Sequence, residues 1–78
     1  MTANRIIELV AEQFGIPAAE IVRETAFVDT LNADSLDIVE LTMAIEEEFS
    51  ISQVPEATMQ GIQTVGDIID YVEGVVGE

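Results

Sequence analysis

One stretch decides the fold, and it reads NADSLDIVEL over residues 32–41 and TMAIEEEF over residues 42–49. At about 100° per residue it predicts a helix from Ser35 to Phe49. Four apolar residues form a core-facing stripe: Ile38, Leu41, Ile45 and Phe49. Roughly opposite lies a second apolar strip, which consists of Leu36, Val39 and Met43. Three carboxylates lie around it: Glu40, Glu46 and Glu47. Because a helix with one buried face should be polar elsewhere, the second strip predicts a docking surface with Ser35 at its N-terminal edge.

The start of this helix carries a capping pattern. Asp34 is a good N-cap residue, and Asp37, three positions on, gives a short-armed capping box. At the other end, the acids of residues 46–48 have the wrong sign for the helix dipole. Helix stability therefore does not explain why those acids are there.

The flanking segments also predict helices. A first helix should run from about Thr2 or Ala3 to Phe14, with Thr2 or Asn4 near its N-cap and Gly15 closing it in a left-handed conformation. Residues 17–33 form a long connection with one helical turn over residues 18–22. Three of its residues should pin it across the core: Ile21, Phe27 and Leu31.

Two helices follow the central one. Pro55 should be the first residue of a short helix that ends at Gly61. Thr64 caps a last helix with Asp67 at its third position. Its inward face should hold four residues: Val65, Ile68, Ile69 and Val72. No segment predicts a strand, so we expect an all-α fold. We expect a small four-helix bundle with three longer helices and a short third helix. A long loop should join the first two helices, and residues 1–78 should form one domain.

The composition of the chain argues against some classes of function. Sixteen acids oppose two basic residues and give a net charge of −14, which repels nucleic acid and anionic membranes. The charge would attract partners with Arg or Lys patches, or it only keeps the protein soluble. No run is long enough to span a membrane, so we expect no stable membrane insertion. The absence of cysteine fits a reducing compartment, and we expect a cytoplasmic protein.

Catalysis by the chain itself is poorly supported. Ser35 could act as a nucleophile only with a neighbouring base, and the chain has no histidine or lysine. Otherwise Ser35 only helps to cap the helix. The acids around it do not match a calcium-binding loop in either register, so we expect no metal site, although weak divalent binding to these acids stays open. We therefore expect a protein that is not an enzyme.

Three segments resemble the acyl carrier protein family: residues 27–41 (FVDTLNADSLDIVEL), 43–49 (MAIEEEF) and 64–72 (TVGDIIDYV). The resemblance covers nearly the whole chain and implies a free-standing carrier. It implies that Ser35 accepts 4′-phosphopantetheine from a separate phosphopantetheinyl transferase that uses coenzyme A. Attached 4′-phosphopantetheine forms a flexible arm, and its terminal thiol would carry acyl groups as thioesters. This explains how a chain without cysteine could take part in thiol chemistry.

The resemblance also implies the binding residues. Partner enzymes that transfer or modify acyl groups would dock through basic patches onto eight residues: Asp34, Leu36, Asp37, Val39, Glu40, Met43, Glu46 and Glu47. The acyl chain would be sheltered by seven others: Ile38, Leu41, Ile45, Phe49, Ile51, Ile62 and Ile68. We expect a monomer.

Some positions depart from the family pattern. Asn32 stands where glycine is usual, residues 50–55 are one residue longer than the common pattern, and the short third helix is poorer in acids. These changes favour a carrier for polyketide, unusual acyl or aminoacyl groups over ordinary fatty-acid elongation, and both pathways stay open. The alternative from another class is an unmodified acidic helical module that binds a basic protein.

Overall fold

The computed structural model describes residues 2–77, and this range contains four α-helices. They are α1 (Thr2–Phe14), α2 (Ser35–Phe49), α3 (Glu56–Gly61) and α4 (Val65–Val76). A single 3₁₀ turn, Ala18–Glu20, lies in the long connection between α1 and α2. The predicted all-α architecture with a short third helix is confirmed.

The first turn of α2 is fixed by the predicted capping box. The Asp37 backbone N–H donates to Asp34 Oδ1 at 2.9 Å, and the Asp34 backbone N–H donates to Asp37 Oδ2 at 3.1 Å. Asn32, two residues before the cap, has a φ of 55°. Asparagine tolerates this left-handed conformation, so the turn forms without glycine. The reciprocal bonds hold Ser35 as the first helical residue.

The core lies where α1, α2 and α4 meet. Its fully buried helical side chains come from all three: Ile6, Val10, Leu41, Ile45, Val65, Ile68, Ile69 and Val72. From the long connection, Ile21 and Phe27 are buried, and Leu31 packs partly buried against the same cluster. The prediction that these three residues pin the connection is confirmed. Ile38 and Phe49 are also only partly buried, at the edge of the α2 stripe.

Backbone hydrogen bonds tie the long connection to the start of α4. The Val65 N–H donates to the Thr25 carbonyl at 2.9 Å, and the Gly66 N–H donates to the Arg23 carbonyl at 2.8 Å. Ala26 and Thr64 form one isolated antiparallel bridge, which the sequence did not predict. This region of the connection is thereby fixed in place, and it forms one wall of the cleft described below.

Three local predictions need correction. Pro55 precedes α3 as its N-cap residue, because its ψ of 144° is extended and its carbonyl accepts the Met59 N–H. Thr2 and Asn4 both lie within α1, since that helix already begins at Thr2. The turn predicted over residues 18–22 ends at Glu20, because Ile21 is extended and enters the core.

Candidate functional site

Ser35 lies on the surface at the first position of α2. Its hydroxyl makes no hydrogen bond with any of the residues 2–77, although the neighbouring Asp34 and Asp37 carboxylates are both engaged in the capping box. The helix N-terminus adds backbone N–H groups and the positive end of the helix dipole. The fold thus presents a free hydroxyl in a rigid backbone setting where a negative group is favoured.

The second apolar strip of α2 is exposed beside this hydroxyl. Leu36 is 63% exposed, Met43 57% and Val39 41%, so none of the three belongs to the core. The predicted acids of this face surround them, with Asp37 and Glu46 partly buried and Asp34, Glu40 and Glu47 exposed. An exposed apolar strip rimmed by acids is suited to contact with a partner that is apolar at its centre and basic at its edge.

The acids of this face differ in the hydrogen bonds that they make within the chain. Glu46 Oε2 accepts the backbone N–H of Val54 at 2.8 Å, and Glu40 Oε1 accepts a hydrogen bond from Gln13 Nε2 at 3.0 Å. Glu47 makes no hydrogen bond or ion pair with the part of the chain that the structure describes. Glu46 therefore also holds the segment between α2 and α3, whereas Glu47 is available to a partner. The Glu46–Val54 bond was missed because nothing local in the sequence marks it.

Both basic side chains are engaged away from this face. Arg5 pairs with Glu8 at 3.0 Å and with Glu48 at 2.9 Å, and Arg23 pairs with Asp70 at 2.7 Å. The hydrogen bond from Arg5 lowers the pKa of the Glu48 carboxyl below its ordinary value. The electrostatic character of the α2 face is accordingly set by its own carboxylates.

A cleft of about 1070 Å³ opens next to Ser35, which is part of its wall. One side is α2, the second is residues 26–29 of the long connection, and the third is α3 with its flanks. Its apolar lining residues are Ala26, Phe27, Val28, Ile38, Val39, Met43, Val54, Met59 and Ile62. Thr42 also lines it and donates its hydroxyl to the Ile38 carbonyl at 2.8 Å.

The cleft brings together two of the seven residues predicted for an acyl pocket, Ile38 and Ile62. The others lie in or against the core: Leu41, Ile45, Phe49, Ile51 and Ile68. Helical periodicity identifies the inward face but does not separate the core from a neighbouring cleft. Sequence reasoning therefore missed Phe27, Thr42, Val54 and Met59 as cleft residues.

The residue types that usually activate a serine are absent from the chain. It contains no histidine, lysine or cysteine. Within residues 2–77, no group of three or more acids is arranged to hold a metal ion. A serine hydroxyl without a neighbouring base of this kind is a weak nucleophile.

Comparison with known proteins decides the family. A family model described as a phosphopantetheine attachment site matches residues 4–72. An acyl carrier protein from Clostridium acetobutylicum is 45% identical over 73 residues, which is 94% of each chain. The chain belongs to the acyl carrier protein family. The solved structure of the acyl carrier protein from Enterococcus faecalis agrees, with a TM-score of 0.79 at 26% identity over 95% of this chain and 92% of that one.

Membership of the acyl carrier protein family establishes the class of function. The chain is a carrier of acyl groups and not an enzyme, and its cofactor is 4′-phosphopantetheine. Its partners are a phosphopantetheinyl transferase and enzymes that handle acyl groups, so an unmodified acidic module is not favoured. None of the described helices has the length and hydropathy needed to cross a membrane.

Proposed function

We propose that Ser35 is the residue to which the phosphopantetheine arm is attached. The observation that carries the proposal is the exposed Ser35 hydroxyl, which has no hydrogen-bond partner in residues 2–77. Ser35 lines the cleft and lies next to the apolar strip of α2. The capping box fixes the backbone around it, so a transferase meets a defined shape. Ser50 and Ser52, the other two serines, lie beyond the far end of α2.

The surroundings of Ser35 suit a phosphodiester. Its single negative charge would lie at the N-terminus of α2, where the helix dipole favours anions. Asp34 and Asp37 use their carboxylates on backbone N–H groups of the cap, which leaves the serine hydroxyl accessible. The bound arm supplies a terminal thiol that holds acyl groups as thioesters. The residues of the chain then position the arm and present it to partner enzymes.

We also propose that partner enzymes dock on α2 through basic patches. The support is the exposed strip of Leu36, Val39 and Met43 with acids around it, on a chain of charge −14. Docking of this kind is fast, weak and salt-dependent, which suits a carrier that visits several enzymes. The same charge repels a second copy, so we propose a monomer. We further propose that residues 1–78 form one domain, of which the structure describes 2–77, and that it works in the cytoplasm.

We propose further that the seven apolar residues predicted for sheltering the acyl chain act when the bundle opens. Ile38 and Ile62 support this because they already line the cleft beside Ser35. The pathway is either general fatty-acid synthesis or a dedicated acyl pathway. Mass spectrometry of the thioesters carried by the protein isolated from its host separates these two.

The direct test is incubation with coenzyme A and a broad-specificity phosphopantetheinyl transferase. Intact-mass spectrometry should show the gain of one phosphopantetheine group. Ser35→Ala should abolish the gain without unfolding the bundle, because the side chain is exposed and has no partner in the described chain. Ser52→Ala, at another exposed serine, is the matched control and should load normally. Labelling of Ser35→Ala would refute the site, and no labelling of the unsubstituted protein would favour the unmodified module.

A further inference from the structure

Two side chains of α1 bind acids of α2, with different effects on the charge of those acids. Arg5, near the start of α1, binds both carboxylate oxygens of Glu48, at 2.9 and 3.1 Å. Gln13, in the last turn of α1, donates from Nε2 to Glu40 Oε1 at 3.0 Å. The arginine offsets the charge of Glu48, whereas the neutral amide of Gln13 leaves the charge of Glu40 intact.

Glu40 adjoins two members of the exposed apolar strip. It follows Leu36 by four residues and precedes Met43 by three, and side chains at these spacings are neighbours on a helix surface. Leu36 and Met43 are both exposed, so a partner that covers the strip also meets the Glu40 carboxylate. The position of this carboxylate therefore affects the fit between the strip and a basic side chain at its edge.

The donor of this hydrogen bond lies in a fixed part of the chain. Gln13 is partly buried, and the next residue, Phe14, packs against the core with its ring 6.3 Å from that of Phe27. A partner that binds a free glutamate must immobilise its side chain, which costs free energy. A bond from a fixed donor meets part of this cost before the partner arrives. Because a carboxylate has about four acceptor positions, Glu40 can still accept from a basic side chain.

We propose that Gln13 is a positioning residue for docking. It holds the Glu40 carboxylate beside the exposed strip, with its charge available to an arginine or lysine of the partner enzyme. The inference rests on the proposed docking of partners on α2, and it extends the residues that determine docking to the end of α1. Since Gln13 acts through Glu40, its loss should weaken binding of a partner by about two- to fivefold, the effect of one side chain that must be immobilised.

The experiment measures KM and kcat for loading of the apo protein by a phosphopantetheinyl transferase with coenzyme A at low salt. Gln13→Met keeps the length and the apolar part of the side chain but cannot donate a hydrogen bond. It should raise KM for the carrier about two- to fivefold with kcat nearly unchanged. Asn4→Leu removes an exposed amide near the opposite end of the same helix. It is the matched control and should leave both constants unchanged.

Coupling to Glu40 separates positioning from a structural role. Glu40→Ala alone should raise KM, and Gln13→Met should add no further rise in the Glu40→Ala background. Gln13→Arg should raise KM more than Gln13→Met does, because it would offset the charge of Glu40 as Arg5 offsets that of Glu48. Asn4→Arg, which should raise KM less, controls for the change in net charge.

The outcomes that would overturn the inference are an unchanged KM for Gln13→Met and an equal rise in KM with and without Glu40. If Glu40→Ala itself leaves KM unchanged, docking at this acid is refuted as well, so the two failures are distinguishable. Each variant is assayed well below its melting temperature, so that a loss of stability alone does not change KM.

Discussion

The bond between Glu46 and Val54 predicts that two adjacent acids of α2 differ sharply in their effect on stability. Glu46→Ala removes the acceptor of the Val54 N–H, which is held at 2.8 Å, and Val54 is only 2% exposed. Glu47→Ala removes an exposed acid with no partner in the described chain. Each variant loses one negative charge from the last turn and gains alanine, so the charge, dipole and propensity effects largely cancel in the comparison.

The difference between the two variants isolates the hydrogen bond. A bond to an ionised acceptor contributes about 1.5–3 kcal/mol, and the lower value applies because the Glu46 side chain is partly solvated. We expect Glu46→Ala to be about 1.5 kcal/mol less stable than Glu47→Ala. For a domain of this size this corresponds to a difference in melting temperature of roughly 6–12 °C.

The assay is thermal and urea unfolding followed by circular dichroism, with hydrogen exchange at the Val54 amide as a local readout. Exchange at Val54 should be faster in Glu46→Ala and unchanged in Glu47→Ala. Glu46→Gln keeps a carbonyl acceptor at the same place and should recover most of the loss. Equal melting temperatures for the two alanine variants, or unchanged Val54 exchange in Glu46→Ala, would refute the reasoning.

Three further predictions concern a close backbone approach, a cap and the docking face. Gly74→Ala should stabilise the protein by about 0.5–1 kcal/mol, since Gly74 lies in α4 with open space around it. Gly66→Ala should give a less stable protein than Gly74→Ala, because a Cβ at Gly66 would lie 3.1 Å from the Arg23 carbonyl oxygen. Asp67 accepts two backbone N–H bonds that lower the pKa of its carboxyl, so its contribution to stability is present at neutral pH and lost as pH falls through that lowered value. The stability difference between the unsubstituted protein and Asp67→Asn, measured by urea unfolding, should therefore shrink toward acid pH. Glu47→Lys should weaken turnover with a partner enzyme, most at low salt, with stability nearly unchanged.

Each of these three has a contrary outcome. Equal stabilisation by both glycine substitutions would mean that the Arg23 backbone moves aside at no cost. If the stability difference between the unsubstituted protein and Asp67→Asn grows toward acid pH, the pKa of the Asp67 carboxyl is not lowered in the folded protein. Unchanged turnover of Glu47→Lys at low salt would remove this acid from the docking surface.

Local features of the fold were predictable because local chemistry determines them. Asp34 and Thr64 each have an acid three residues later, and both form reciprocal capping boxes. Gly15 adopts the predicted left-handed φ of 67°. The bounds of α2 follow from its cap and its periodicity, and with them the exposed position of Ser35.

Features that depend on distant contacts were not predictable. The bridge between Ala26 and Thr64 joins segments far apart in the chain, and the Glu46–Val54 bond spans the turn after α2. The left-handed φ of 53° at Ser50 ends α2 at a residue type that carries no signal for it. The lining of the cleft likewise depends on where α3 lies against α2, which periodicity does not determine.

The central claim is that one hydroxyl, that of Ser35, receives the arm. It is tested most directly by fragmentation mass spectrometry of the protein after treatment with coenzyme A and a phosphopantetheinyl transferase. The added mass should be found on the peptide that contains Ser35, with the peptide of Ser50 and Ser52 unmodified. An added mass on that second peptide, or none on either, would contradict the account.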